Sequence, residues 1–291
     1  MSDTQIVVDE EAEVASDRDA FMVTIASPTG GCGKTFFATS FADILGKAGL
    51  KTLVVDLDLQ FGEIAVALQL RPQYSLYDGL YGTQGEPLPE DAFEEHFEEL
   101  VVHHPFGFDV LTAPRDPALA DYVGAGDATH VLKVVRKYYD VVIVDTPPAL
   151  TEIVLSALDQ SDVVVVMATL DVPSLKHLKT FTETLRRIQI GDDMHRLVLN
   201  KVDDDLGLDV KEVQETFDDR FVALIPLSKS VSRAMNVGSV VPEMEPNSKV
   251  SHELEKAARA IMPEQMLPQR SEEPGFLSRL LKSGKKDGGD Q

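Results

Sequence analysis

The sequence predicts a doubly wound α/β fold, a mostly parallel sheet with helices on both faces in a single domain, and two observations carry this. Short apolar runs recur along the chain and are nearly continuous rather than alternating, which means strands buried on both faces. Segments with helical spacing lie between those runs, and the alternation of strand and helix gives the doubly wound arrangement.

Taken in order, residues 1–20 are polar and acidic, with Asp9, Glu10, Glu11, Glu13 and Asp17 close together, and are expected to be a disordered leader. The first strand is Phe21 to Ala26. A glycine-rich loop, Ser27 to Thr35, follows it. Phe36, Phe37, Ser40, Phe41, Ile44 and Leu45 then share one face of a helix. Further strands are expected at Thr52 to Val55, Val141 to Val144, Val163 to Met167, Leu197 to Leu199 and Phe221 to Ile225. Tyr81 to Pro89, with its glycines and prolines, reads as a loop leading into an acidic helix around Phe93, Phe97 and Leu100. Leu175, Leu178, Thr182, Leu185 and Ile188 mark another helix. The expected domain therefore covers residues 21–262, followed by a linker over 263–274 and a tail over 275–291.

Composition narrows the function classes. The chain has 291 residues, 43% of them hydrophobic, enough for a large core. With 27 basic and 49 acidic residues its formal charge is −22, which makes nonspecific nucleic-acid binding a poor expectation. One cysteine, Cys32, supplies neither an internal disulfide nor a cysteine-pair metal site. No signal peptide or membrane-spanning run is present, so a soluble protein of a reducing compartment, the cytoplasm, is expected.

Ser27-Pro28-Thr29-Gly30-Gly31-Cys32-Gly33-Lys34-Thr35 lies between the first strand and the first helix, where a phosphate-binding loop has to lie. Gly30, Gly31 and Gly33 permit close backbone approach, Lys34 reaches β- and γ-phosphates, and Thr35 ligates Mg²⁺ through its hydroxyl. The ordinary spacing asks for a glycine where this chain has Pro28, so the standard motif fails by one residue. Asp56 and Asp58 end the second buried run and Asp145 ends a later one. Ligands bind at the carboxyl ends of parallel strands, so all three elements converge on one crevice. A strand-end Asp56 or Asp145 suits Mg²⁺, and Asp58 suits orientation of an attacking water.

This combination resembles the MinD/ParA family of ATPases, on Gly30 to Thr35, Val54 to Gly62, Val141 to Pro148 and Ile225 to Gly238. Ser27 to Thr39 and Asp56 to Glu63 look most like the pilus-assembly localisation branch, TadZ/CpaE-like. That branch often carries an N-terminal receiver-like domain, and none is expected here. The resemblance implies ATP and Mg²⁺ as ligands, an ATP-dependent sandwich homodimer, and partners in the pilus or secretion machinery; slow hydrolysis is expected from the departure at Thr29. It also implies nucleotide contacts from Thr29, Gly30, Gly31, Cys32, Gly33, Lys34, Thr35 and Phe36, with Lys34 and Asp58 catalytic. The family's signature lysine before the paired glycines reaches a partner's phosphate; here that position is Thr29, which carries no charge.

Leu199-Asn200-Lys201-Val202-Asp203 matches the guanine-reading motif of GTPases letter for letter and so points to GTP. Family members, however, place an asparagine at the end of this strand against adenine, and Asp204 and Asp205 make Asp203 part of a solvated acidic turn; ATP is the expected nucleotide. The alternatives are a ParA-like partitioning ATPase that uses Lys176, Lys179, Arg186, Arg187, Lys229 and Arg233, and a nucleotide-holding scaffold without turnover. In the tail, Phe276, Leu277, Leu280 and Leu281 fall on one helical face beside Arg279, Lys282, Lys285 and Lys286. That pattern suits an anionic membrane surface and resembles the short targeting helix that ends MinD-type proteins, which would place the protein on the inner face of the cell membrane.

Overall fold

The computed structural model describes residues 19–268 except 204, 206 and 219. The expected acidic leader and basic tail fall outside the described residues.

One eight-stranded sheet runs through the domain in the order β3-β4-β2-β5-β1-β6-β7-β8. The long apolar runs form its interior, β1 (Phe21–Ala26), β2 (Thr52–Asp56), β5 (Val141–Asp145), β6 (Val163–Thr169) and β7 (His195–Val202), and one edge, β8 (Phe221–Pro226), where burial alternates along the strand instead of being continuous as expected. Every residue of β2 and β5 is buried, the apolar stretches Leu53 to Val55 and Val141 to Val144 together with Thr52 and the strand-end Asp56 and Asp145. Neighbouring residues of β1 pack to opposite sides: Val23 and Ile25 join one cluster, Met22 another. All pairings are parallel except that of β3 (Val101–His104) with β4 (Phe108–Leu111).

The first helix, α1 (Lys34–Lys47), packs Phe36, Phe37, Phe41 and Leu45 onto the sheet beside α12 (Lys249–Ile261). Gly46 of α1 abuts the β3–β4 turn so closely that a Cβ there would lie 2.5 Å from the Gly107 carbonyl oxygen. On the other face lie α6 (Ala125–Val135), α7 (Glu152–Asp159) and α8 (Val172–Arg187), the last started by Asp171, which accepts the Ser174 amide at 2.8 Å, and by Pro173. Shorter helices complete the top and edges: α2 (Ile64–Ala67), α3 (Leu76–Tyr81), α9 (Val210–Thr216), α10 (Lys229–Asn236) and α11 (Val241–Met244).

One further expectation is corrected. The acidic helix is two single turns, α4 (Ala92–Glu95) and α5 (Phe97–Leu100), because His96 leaves helical geometry at φ −106°, ψ 11°. Phe93, Phe97 and Leu100 are nevertheless buried together, so the apolar spacing reported a contact face correctly while misreporting its continuity. Immediately afterwards comes the antiparallel β3–β4 hairpin, which four-residue strands with little apolar patterning did not announce. The segment after Ile261 also continues to pack: Glu264–Met266 form a 3₁₀ turn, and Met266 and Leu267 rest against the α1 side of the core. No helix among the described residues is long and apolar enough to cross a membrane.

Candidate functional site

Parallel pairing places the predicted carboxylates side by side. Asp56 and Asp145 are register partners in β2 and β5, and Ile25 of β1 lies opposite Asp145 on its other side. The phosphate loop leaves β1 at that same carboxyl edge. Gly31 and Gly33 take φ values of 72° and 95°, a region L-residues with side chains rarely adopt. Gly33 thereby starts α1 without any side-chain cap, and no acidic residue occupies the helix's first turn. Its first amides and the positive end of its dipole are left for an anion. Lys34 is only 8% exposed, and its ammonium has no protein partner among the described residues. Asp145 is close enough to feel its charge, but a near-buried ammonium with no hydrogen-bond partner is costly unless a ligand supplies one.

Beside it, the Thr35 hydroxyl donates to Asp145 Oδ2 at 2.7 Å. The other Asp145 oxygen is buried with no hydrogen-bond partner. Burial pushes the Asp145 carboxyl up to about 6, against the pull of the Thr35 hydroxyl and Lys34, while Asp58 and Glu63 add repulsion. Asp56 is raised well above the usual carboxylate range, first by burial and next by the charge of Asp145. Its oxygens accept the amides of Asp58 at 3.1 Å and Ile64 at 3.3 Å, so Asp56 fixes the turn that carries Asp58. Gly62 is required in that turn, since a Cβ would come within 2.7 Å of Asp56 Oδ2.

These residues fit a divalent cation. An orphaned carboxylate oxygen, a neighbouring hydroxyl and surplus buried negative charge are what Mg²⁺ relieves. No group of three or more metal-ligating side chains stands together among the described residues, so the remaining ligands have to come from phosphate and water.

A cavity of about 450 Å³ opens over the loop, lined by Gly30, Gly31, Gly33, Lys34, Thr35, Phe36, Asp58 and Asn200. Most of the sequence-predicted site residues therefore converge on it. Cys32 takes part through its backbone alone: its side chain is buried in the core, and burial raises its thiol pKa. Thr29 is not among the lining residues; it forms a local turn in which its amide donates to Ser27 Oγ at 3.1 Å. Asn200, 4% exposed, donates from Nδ2 to the Cys32 carbonyl at 2.7 Å, and its Oδ1 accepts the Lys201 amide at 2.8 Å. Asp203 accepts the amide of Asp205 at 3.0 Å, a local acidic turn as expected.

A family model described as "AAA domain" matches residues 20–196. Chromosome-partitioning ATPase Soj of Thermus thermophilus is 29% identical over 249 residues, covering 82% of this chain and 94% of Soj. Septum site-determining protein MinD of Thermotoga maritima is 23% identical over 247 residues, covering 82% of this chain and 87% of that protein. This chain belongs to the MinD/ParA family of P-loop ATPases. The fold agrees: the Pyrococcus horikoshii MinD structure, complexed with Mg-ADP, superposes with a TM-score of 0.71 at 20% identity, covering 83% of this chain and 95% of that one.

Within this MinD/ParA domain, sequence reasoning missed the far wall of the cavity. Phe61 and Glu63 follow β2, Pro148 follows β5, and Pro226, Leu227 and Ser228 lead from β8 into α10, which adds Val231, Ser232 and Met235. All but Glu63 fall in stretches that carry the family resemblance, but no residue type among them names a ligand contact. Only their position after strand ends, where the crevice had to be, signals them.

Proposed function

We propose that this MinD/ParA-family chain binds Mg-ATP at the phosphate loop, hydrolyses it slowly and uses the nucleotide state to switch an ATP-dependent homodimer that marks a cellular position. The observation that carries the reading is Lys34, nearly buried and unpaired at an uncapped helix start beside the orphaned Asp145 oxygen. An anion and a divalent cation together satisfy both groups. The system served is pilus assembly or secretion-system placement, supported by the TadZ/CpaE-like stretches Ser27 to Thr39 and Asp56 to Glu63, with membrane contact through the tail over 275–291.

Each residue has a role in that scheme. Lys34 and the first amides of α1 bind and neutralise the β- and γ-phosphates. Thr35 and Asp145 would hold Mg²⁺, with Asp56 behind them; the ion neutralises charge on the terminal phosphate oxygens when bound. Asp58, on the turn fixed by Asp56, orients the attacking water. Asn200, at the end of β7, lines the cavity and in this reading packs against adenine, and Asp203 is occupied in its own turn, which favours ATP over GTP.

Similarity to Soj over most of the chain favours a second reading, a chromosome- or plasmid-partitioning ATPase. The basic residues it needs are partly committed: Arg186 pairs with Asp192 at 2.9 Å. ATP-dependent retention of duplex DNA in a gel-shift assay would select this reading over pilus or secretion placement.

Calorimetric titration with Mg-ATP tests the shared core. Wild-type protein should bind Mg-ATP more tightly than Mg-GTP, and Lys34→Ala should abolish binding with the fold unchanged by circular dichroism. Equal affinity in the variant would refute the phosphate-loop assignment.

A further inference from the structure

The β7 strand does more than end at the cavity. Its register against β8 shifts between Leu199 and Val202, and within that irregularity Lys201 takes a left-handed φ of 55°. Bulges of this kind re-aim side chains at the ends of strands. Here the two residues of the bulge are both aimed at the phosphate loop. Asn200 Nδ2 donates to the Cys32 carbonyl at 2.7 Å, and Lys201 Nζ donates to the Gly31 carbonyl at 2.7 Å. The Asn200 contact is so close that a Cβ on Gly33 would lie 2.4 Å from Nδ2.

We propose that Lys201 is a positioning residue of the phosphate loop, which together with Asn200 fixes two successive loop carbonyls toward β7 and so points the next two amides at the nucleotide phosphates. A trans peptide is planar, with the C=O of one residue and the N–H of the next directed oppositely. Holding the Gly31 carbonyl therefore orients the Cys32 amide, and holding the Cys32 carbonyl orients the Gly33 amide. Gly31 and Gly33 are the loop's most freely rotating residues, each at positive φ. Without an external tie their peptide planes flip at little cost. Lys201 makes the tie from a left-handed backbone conformation, which directs its side chain back toward the loop. Lys201 lines the same cavity as Asn200, so nucleotide seated against β7 and phosphate gripped by the loop are coupled through one pair of adjacent residues.

The consequence for nucleotide rests on the proposed ATP-binding function; the loop contact does not. Amide hydrogen exchange of the nucleotide-free full chain reads the contact directly. Lys201→Met should speed exchange over residues 28–36 by about five- to tenfold, the size expected for loss of one exposed charge-assisted hydrogen bond. Lys201→Arg, whose guanidinium still donates to a carbonyl, should restore it. Lys201→Gly, which relieves the left-handed backbone and removes the side chain, should behave like Lys201→Met, so that backbone strain is separated from the tie. Titration then distinguishes loop from base: inorganic tripolyphosphate with Mg²⁺ should lose affinity in Lys201→Met by the same factor as Mg-ATP. Unchanged exchange in Lys201→Met would overturn the proposal, as would a loss confined to ATP, which would make Lys201 a direct base or ribose contact. Failure of wild-type protein to bind Mg-ATP would instead refute the nucleotide reading, with the exchange result still deciding the tie.

Discussion

Asp145 concentrates the chemistry of the site at a single residue. Its folded pKa of about 6 lies above the ordinary carboxylate value because burial disfavours the charge. A carboxyl raised in this way stabilises the fold while protonated, so its contribution is complete at low pH and is lost as pH rises through about 6. Asp145→Asn keeps an acceptor for Thr35 and removes the charge. Nucleotide-free Asp145→Asn should therefore be more stable than wild type at pH 8, on the order of 1–3 kcal/mol in urea unfolding, with the gap narrowing toward pH 5. It should at the same time lose the Mg²⁺ dependence of nucleotide binding. Equal stability at both pH values would show that Asp145 is not held under strain by its surroundings. Thr29 gives the second residue-scale prediction. It carries no charge and does not line the cavity, so ATP turnover should be slow, and Thr29→Lys should raise it by about tenfold or more if a cationic group is what is missing. Turnover unchanged by Thr29→Lys in protein shown to dimerise would mean another group already supplies that charge. Lys34, Thr35 and Asp145 were legible in the sequence because a strand, a glycine turn and a helix leave few places for such residues to go. The Asn200–Cys32 and Lys201–Gly31 contacts were not, since each joins residues nearly 170 positions apart through backbone carbonyls, which every residue type offers.

At the scale of elements, α1 is held by ion pairs at its C-terminal end alone and left open at its start. Its start faces the phosphate site, and its end carries Lys47, which bridges Asp43 at 3.0 Å and Glu243 of α11 at 2.9 Å. Asp43 has a fully buried side chain, its Oδ1 lacks any partner, and burial raises its carboxyl to about 6 despite the nearby ammonium. Removing Lys47 would leave that carboxylate buried and uncompensated, which costs more than the bridge itself contributes. Lys47→Met should destabilise the domain by on the order of 1–3 kcal/mol at pH 8, measured by urea unfolding, and adding Asp43→Asn should recover most of the loss. A loss that Asp43→Asn fails to recover would place the Lys47 contribution in packing of its methylenes. The elements themselves were legible in proportion to their burial on two faces. Central strands such as Val141–Asp145 read directly, because burial on both faces demands a continuous apolar run up to the strand-end carboxylate. The edge hairpin did not: β3 exposes one side, includes two histidines, and gains its order from pairing with β4. The break at His96 was equally hidden, as Phe93, Phe97 and Leu100 reach the same core from two turns as from one helix.

For the molecule as a whole, the distribution of charge frames the final prediction. The chain carries −22 overall, yet its last stretch, with Arg279, Lys282, Lys285 and Lys286, is locally basic around Phe276, Leu277, Leu280 and Leu281. An acidic body is repelled by an anionic bilayer, so the membrane contact proposed above rests on that stretch. Set on a helix, those four apolar residues would span two turns, too few for a helix stable in water, and would insert only weakly. A single tail should therefore bind transiently. Two tails brought together by an ATP-held dimer would act on the same surface, the second at high effective concentration, and the combined attachment becomes strong without any new contact. Vesicle sedimentation follows from this. Full-length protein should co-sediment with anionic phosphatidylglycerol vesicles in the presence of Mg-ATP, much less with Mg-ADP, and little with neutral phosphatidylcholine. Deleting residues after Pro274 should abolish sedimentation while leaving ATP binding intact. Because the basic residues act through screened Coulomb attraction, the bound fraction should also fall as salt rises. Equal sedimentation of full-length and truncated protein would remove the tail from the mechanism and leave a protein partner as the agent of localisation. Sedimentation indifferent to nucleotide would keep the tail but sever it from the dimer switch.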